Sequence, residues 1–223
     1  MAYILNIETA TTNCSVSLSN KGETVVLKED YNSNYSHAER LHIYIDDVLK
    51  EANRSLNDLE AIAISKGPGS YTGLRIGVSA AKGLCFALDI PLISIPTLES
   101  LAHQVKAEEG VIIPMLDARR MEVYSAVFDV NYNQIRDTQA QILDESSFNE
   151  YLEAGKVYFI GNGVAKTKDL ISHTNVVFIE EKLPSANNMS QLAYQKYKKS
   201  DIEDVAYFEP YYLKDFIAIK PKS

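Results

Sequence analysis

Residues 61–88 read AIAISKGPGSYTGLRIGVSAAKGLCFAL, and the residue types change along them in an informative order. Ala61-Ile62-Ala63-Ile64 is a short apolar run that predicts a buried strand. Gly67-Pro68-Gly69 breaks it, Ser70, Tyr71 and Thr72 follow, and a helical pattern then runs to Leu88. Strand, glycine-rich turn and helix is an arrangement whose backbone N–H groups can receive an anion. It is equally a tight connection in which glycine supplies unusual dihedrals. It is not a Walker loop, because no Gly-Lys-Ser/Thr follows at the required spacing.

The helix says more than the loop. At about 100° per residue, Leu74, Val78, Ala81, Cys85 and Leu88 form one core stripe. A second stripe lies beside it, Gly73, Gly77, Ala80, Leu84 and Ala87, widened by Ile76 and Gly83. Only Arg75, Ser79 and Lys82 mark a wet side, with Phe86 among them. One sheet needs an apolar arc of about 100°, and this helix has roughly twice that. The second stripe therefore predicts a second packing surface, for a neighbour from the same chain or from a partner; Gly73, Ile76, Gly77, Ala80, Leu84 and Ala87 are the candidate partner interface.

Outward from that stretch the chain reads as alternating strands and helices. Tyr3 to Thr9 predicts a buried strand, and Cys14 to Ser19 alternates as a half-buried strand does, with Ser15, Ser17 and Ser19 outward. A turn at residues 20–23 leads to a third strand, Thr24 to Asp30. Ser36-x-x-Glu39 is a capping box, opening a helix whose apolar face is Ala38, Leu41, Ile45, Val48, Leu49 and Ala52. Pro91 to Ile95 is another strand, followed by a short helix from Thr97. Strand, strand, hairpin, strand then recurs from Val111, roughly 110 residues on. In this copy Asp117 ends the first strand as Glu8 does in the earlier one. A helix capped by Ser147-x-x-Glu150 follows, then a strand at residues 156–160, Gly161-Asn162-Gly163 before another helix, and a strand from Val176. Asn188-x-x-Gln191 opens a last helix. The expectation is two related α/β lobes, residues 1–106 and 107–223.

Composition excludes several functions. The 223 residues carry a formal charge of −8, with 46% hydrophobic and 23% charged residues. That is ordinary for a globular protein, and it disfavours the chain as a principal nucleic-acid binder. Cys14 and Cys85 have no metal spacing and read as buried thiols in a reducing compartment. No signal peptide or membrane-length apolar run is present, so a cytoplasmic protein without membrane contact is expected.

Few residues are placed for chemistry. Glu8 and Asp117 end equivalent strands, where paired carboxylates bind magnesium in other proteins or simply accept loop hydrogen bonds. His37 and His42 are five apart on a helix and point about 140° from each other, so they cannot share a metal. His103 and His173 have no companion at ligand spacing, and neither a Gly-x-Ser-x-Gly elbow nor a Cys–His pair is evident. Asp117-Ala118-Arg119-Arg120 is either a substrate clamp or a charged turn.

The blocks GPGSYTGLRIGVSAAKGLCFAL, DARRMEVYSAVF, ILNIETATTNCSVSLS, YSHAERL and PYYLKDF together resemble the TsaB (YeaZ-like) family over most of the chain. The resemblance implies two ribonuclease-H-like lobes with mixed sheets, of the actin, sugar-kinase and Hsp70 type. It implies a non-catalytic, dimerising subunit in the synthesis of threonylcarbamoyladenosine next to the tRNA anticodon. Such a subunit binds and activates the transferase TsaD together with the ATPase TsaE, forms a homodimer when alone, and meets tRNA only through the complex. TsaD-like proteins carry a His-x-x-x-His metal site after the equivalent helix and strand; Thr97 and Leu101 stand there in this chain. With those ligands missing, no metal, no catalytic residue and no metallopeptidase activity are expected. Glu8 is followed by Thr9-Ala10-Thr11, without the glycine that admits a nucleotide phosphate. Glu8, Asp117, Gly67, Gly69, Gly161 and Gly163 are thus expected to be at most a vestigial nucleotide or metal site. ATP, ADP and magnesium would bind only weakly or within the complex. The alternative is a nucleotide-dependent phosphotransferase or ATPase of the sugar-kinase type, using those same residues.

Overall fold

The structure is a computed structural model in which residues 2–31 and 37–214 are described. The first sheet contains β1 (Tyr3–Glu8), β2 (Cys14–Asn20), β3 (Glu23–Asp30), β4 (Leu59–Ser65) and β5 (Leu92–Ile95), in the order β3-β2-β1-β4-β5. β1, β2 and β3 are antiparallel neighbours, and β4 and β5 continue the sheet parallel to β1. The second sheet contains β6 (Val111–Asp117), β7 (Glu122–Asp129), β8 (Gln134–Ile142), β9 (Val157–Ile160) and β10 (Val176–Ile179), in the order β10-β9-β6-β7-β8. Its pairings repeat those of the first sheet strand for strand. The chain is therefore α/β, with two mixed sheets of ribonuclease-H-like order, as the recurrent pattern predicts.

Helices cover both faces of the first sheet. On one side α1 (His37–Glu51) and α2 (Tyr71–Leu88) bury Leu41, Ile45, Val48, Val78, Ala81 and Cys85 against Ile7, Val16, Ile62 and Ile64. On the other side lies α6 (Ala186–Lys198), whose Ala186, Met189, Leu192 and Ala193 pack on Ile4, Ala61, Ala63, Ile93 and Ile95. The second sheet has α4 (Asn149–Ala154) and α5 (Val164–Lys168) near one face. Its other face takes α3 (Thr97–Ala102), whose Leu98, Leu101 and Ala102 pack on Ile112, Leu116, Ala126 and Ile160. Each half thus lends a helix to the other's sheet: α3 precedes residue 107 and packs on the later sheet, while α6 follows it and packs on the earlier one.

That exchange corrects the half-buried reading of β2. Ser15, Ser17 and Ser19 are fully buried because α6 covers the face that alternation assigned to solvent. Their small hydroxyls satisfy the incoming helix. Ser15 Oγ accepts from Ala186 N (3.0 Å), Ser17 Oγ donates to Ala186 O (3.0 Å), and Asn6 Nδ2 donates to Ser17 and Ser19 Oγ. A polar strand face can be buried when most of its groups find partners; Asn6 Oδ1 has none among the described residues.

Helix starts also differ from the motif reading. Ser185, not Asn188, caps α6, its Oγ accepting from Asn187 N. Ser147 does not cap α4: its Oγ accepts from Asp144 N in the preceding turn, and Phe148 takes the cap position in a left-handed conformation. On α1, Ala38 is exposed whereas His37 is buried; Ser36 of the expected capping box lies outside the described residues. Among the described residues no helix is long and apolar enough to cross a membrane.

Candidate functional site

The first glycine loop is filled by its own chain. Gly67 has φ +107°, and a Cβ there would lie 2.8 Å from Tyr211 O and 3.1 Å from Leu74 Cδ1. A Cβ on Gly69 would lie 2.4 Å from Ala10 O. Glycine is required here by close backbone approach from two sides. Three of the loop's donors are spent internally: Gly67 N on Thr97 Oγ1 (3.0 Å), Ser70 N on Ala10 O (2.7 Å), and Gly73 N on Ser70 Oγ (3.2 Å). An anion at this helix start would have to displace those acceptors. Ala10, where a glycine admits phosphate in the resemblance, is buried against Gly69.

The second loop is also closed by packing. A Cβ on Gly161 (φ +117°) would lie 2.2 Å from Met115 O, and one on Gly163 would lie 2.9 Å from Val123 Cγ1. Gly163 N donates to Met115 O (3.2 Å).

The two carboxylates occupy unlike environments. Glu8 is fully buried, and Ala10 N donates to its Oε1 (2.6 Å). Burial pushes its carboxyl up to about 7, partly offset by the Ala10 amide and the Ser65 hydroxyl. Asp117 sits at the exposed end of β6, paired with Lys166 (2.8 Å), while its Oδ1 also accepts from Arg119 N (2.6 Å). One is a buried acid and the other a turn-forming ion pair. Thr97 and Leu101 are both fully buried; Thr97 Oγ1 lies 2.6 Å from Ser65 Oγ, and Leu101 joins the core between α3 and β6.

The expected interface stripe on α2 divides in two. Gly73 and Gly77 face the interior: added Cβ atoms would lie 2.1 Å from Thr9 O and 2.2 Å from Thr9 Oγ1. They let α2 settle on the end of β1 and are not a free surface, which corrects the expectation for both. Ile76, Ala80 and Leu84 are half-buried along the seam with α1, and Ala87 is exposed. There Ile76, Ala80, Gly83 and Leu84 join Ala38 and His42 around an open groove of about 660 Å³. Across the ridge of Gly83 and Phe86 lies a second hollow of about 450 Å³, bounded by Lys82, Asp204, Val205 and Ala206. Phe86 crowns the ridge at 85% exposure and joins the half-buried Ile76, Ala80 and Leu84 in one apolar strip.

Sequence reasoning assigned no role to the C-terminal segment, which organises this region. Lys82 Nζ donates to Ala206 O and Phe208 O, Tyr211 N donates to Lys66 O (2.7 Å), and Tyr212 packs on Tyr71 with ring centroids 5.1 Å apart. PYYLKDF was legible as a family block, but backbone bonding of this kind leaves no side-chain signature.

Comparison with known proteins places these features. Residues 31–221 match the family model described as "TsaD: tRNA N6-adenosine threonylcarbamoyltransferase". The chain is 31% identical to the "tRNA threonylcarbamoyladenosine biosynthesis protein TsaB" of Escherichia coli (strain K12), covering 97% of this chain and 96% of that one. It is 28% identical to the protein of the same name from Haemophilus influenzae, covering 97% and 95%. A crystal structure from Pseudomonas aeruginosa, described as an uncharacterized protein with similarity to peptidase YEAZ, superposes with a TM-score of 0.85 at 26% identity, over 96% of this chain and 100% of that one.

Proposed function

The chain belongs to the TsaB (YeaZ-like) family, and on that premise we propose that it acts in tRNA threonylcarbamoyladenosine biosynthesis as a non-catalytic subunit that binds and activates the transferase TsaD. The observation that carries the reading is the outer face of α2. Ile76, Ala80, Gly83, Leu84 and the exposed Phe86 form an apolar seam and ridge beside α1, while the glycines beneath hold the helix to its own sheet. The occupant of that seam is the corresponding helix of TsaD, or of a second copy of this chain when TsaD is absent. TsaE joins the assembly, and tRNA is met within it in the cytoplasm.

A phosphotransferase or ATPase of the sugar-kinase type is not favoured. Three backbone donors of the first glycine loop are engaged by Ala10, Thr97 and Ser70, a Cβ on Gly67 or Gly69 would meet Tyr211 or Ala10, and Glu8 and Asp117 differ sharply in burial. Nucleotide and magnesium binding, if present, therefore belongs to the assembled complex.

The test is co-purification with TsaD. Ala80→Arg places a long cation in the seam while its head can still reach solvent. TsaD and self-association should both weaken by at least tenfold, about 1.4 kcal/mol, with the melting temperature little changed. Undiminished TsaD capture by the folded variant would exclude this face.

A further inference from the structure

The C-terminal segment and the β6–β7 turn build a basic and aromatic stripe that crosses from one lobe to the other. It begins on α2, where Arg75 lies over the Tyr71 ring, 5.3 Å from its centroid, and donates to the Tyr71 hydroxyl. Tyr71 packs on Tyr212, and two residues later Lys214 reaches β7, pairing with Glu122 and lying 5.9 Å from the Tyr124 ring centroid. Arg119 and Arg120 lie in the turn that leads into β7, just before the Glu122 that Lys214 reaches.

The charge balance of this stripe is opposite to that of the chain, which is −8 overall. Asp117 is neutralised by Lys166 and Glu122 by Lys214. Among the described residues no carboxylate lies within ion-pair distance of Arg75, Arg119 or Arg120; Glu209, near Tyr212, is the acid that stands against them. Set against that acid, the three guanidinium groups leave the described residues of the stripe with a positive balance.

The turn is also built to present two of them. Arg119 and Arg120 both have positive φ, 69° and 49°, in a turn closed by Ala118 N to Glu122 O and Glu122 N to Arg119 O. L-residues other than Gly, Asn and Asp seldom adopt such angles. Lys166, largely buried, braces the turn from beneath by donating to Arg120 O (2.6 Å) and Glu122 O (3.1 Å). Arginine holds two positions where asparagine and glycine would be less strained, and both side chains are exposed.

We propose that this stripe, with Arg119 and Arg120 at one end and the Tyr71–Tyr212 pair at the other, is where the chain contacts a single-stranded RNA segment. Exposed cations beside the partly exposed Tyr212 ring suit a strand whose phosphates need neutralising and whose bases need a stacking surface. The proposal rests on the functional reading above, in which the substrate carries an unpaired RNA loop. It also agrees with the expectation from the −8 charge that the chain binds RNA poorly alone, since a single stripe adds only a few phosphate contacts to those of a partner.

The experiment uses the assembled complex of this chain with TsaD and a full-length tRNA transcript, measuring affinity against salt. Arg119→Asn/Arg120→Gly removes both charges with residues that tolerate the backbone, so the hairpin should be no less stable. Expected are unchanged TsaD capture, a tRNA affinity at least fivefold weaker, and a shallower salt dependence. Tyr212→Ala should weaken a single-stranded oligonucleotide more than a duplex of equal length. Unaltered tRNA affinity and salt slope in the folded double variant would overturn the stripe alone. A wild-type complex that binds no tRNA would overturn both the stripe and the functional reading beneath it.

Discussion

Gly77 lies over Thr9 so closely that a Cβ on the glycine would sit 2.2 Å from the threonine Oγ1 and 3.0 Å from Ile64 Cδ1. This approach brings α2 onto the C-terminal end of β1 and leaves the helix's other side for a partner. Gly77→Leu should therefore act on folding and not primarily on association. Overpacking costs about 1–3 kcal/mol, and the midpoint of urea unfolding should fall accordingly. A variant as stable as the parent would show that Thr9 yields without cost.

Phe86→Ser should have the reverse signature. The ring is 85% exposed, and surface changes away from special features stay within about 0.5 kcal/mol of neutral. Unfolding should be unchanged, whereas sedimentation should show weaker self-association and TsaD capture should fall. If assembly is unaffected, Phe86 is outside the contact.

Glu8 gives the stability curve a definite slope. Its carboxyl is raised from 4.5 to about 7 in the folded chain by burial. Between those values the folded state holds a proton that the unfolded state has released, so unfolding free energy falls as pH rises. The contribution is fully present below 4.5 and lost by about 7, amounting to about 3 kcal/mol. Glu8→Gln keeps an acceptor for Ala10 N and removes the titration. Denaturant unfolding of both proteins at several pH values between 4.5 and 8 should show the parent losing stability relative to the variant as pH rises; parallel curves would refute it.

Lys166→Met should loosen the β6–β7 turn. Its ammonium satisfies Asp117 and two backbone carbonyls from a largely buried position, and hydrogen bonds to charged groups are worth about 1.5–3 kcal/mol each. Faster amide hydrogen exchange at residues 118–123 is expected, with β1 to β5 unaffected. Unchanged exchange in the turn would mean that water replaces the lysine without loss.

The repeated strand pattern was legible because hydrophobic alternation and turn residues report on neighbours along the chain. Helix α2 was legible too, down to its excess of apolar surface. What alternation could not convey was where distant pieces return. Ser15, Ser17 and Ser19 read as solvent-facing because nothing near them announces α6, some 170 residues later. Gly73 and Gly77 read as an outer stripe because a helical wheel records which residues share a side, not what lies opposite it. Tyr211 closes the glycine loop through its backbone carbonyl and amide, and Thr9 meets Gly73 through its carbonyl; backbone atoms are the same in every residue.

The crossing of α3 and α6 has a mechanical meaning. The two sheets with their helices can be pictured as a pair of jaws. Here each jaw has an arm riveted to the back of the other: Leu98 and Leu101 to β6 on one side, Met189 and Leu192 to β1, β4 and β5 on the other. Polar fastenings at Ser15, Ser17 and Ser185 reinforce the second arm. Turning the jaws apart would shear both cores at once, which opposes a change of angle between them. A partner seated on α2 meets a surface that is already set, and little of the contact energy goes into arranging it.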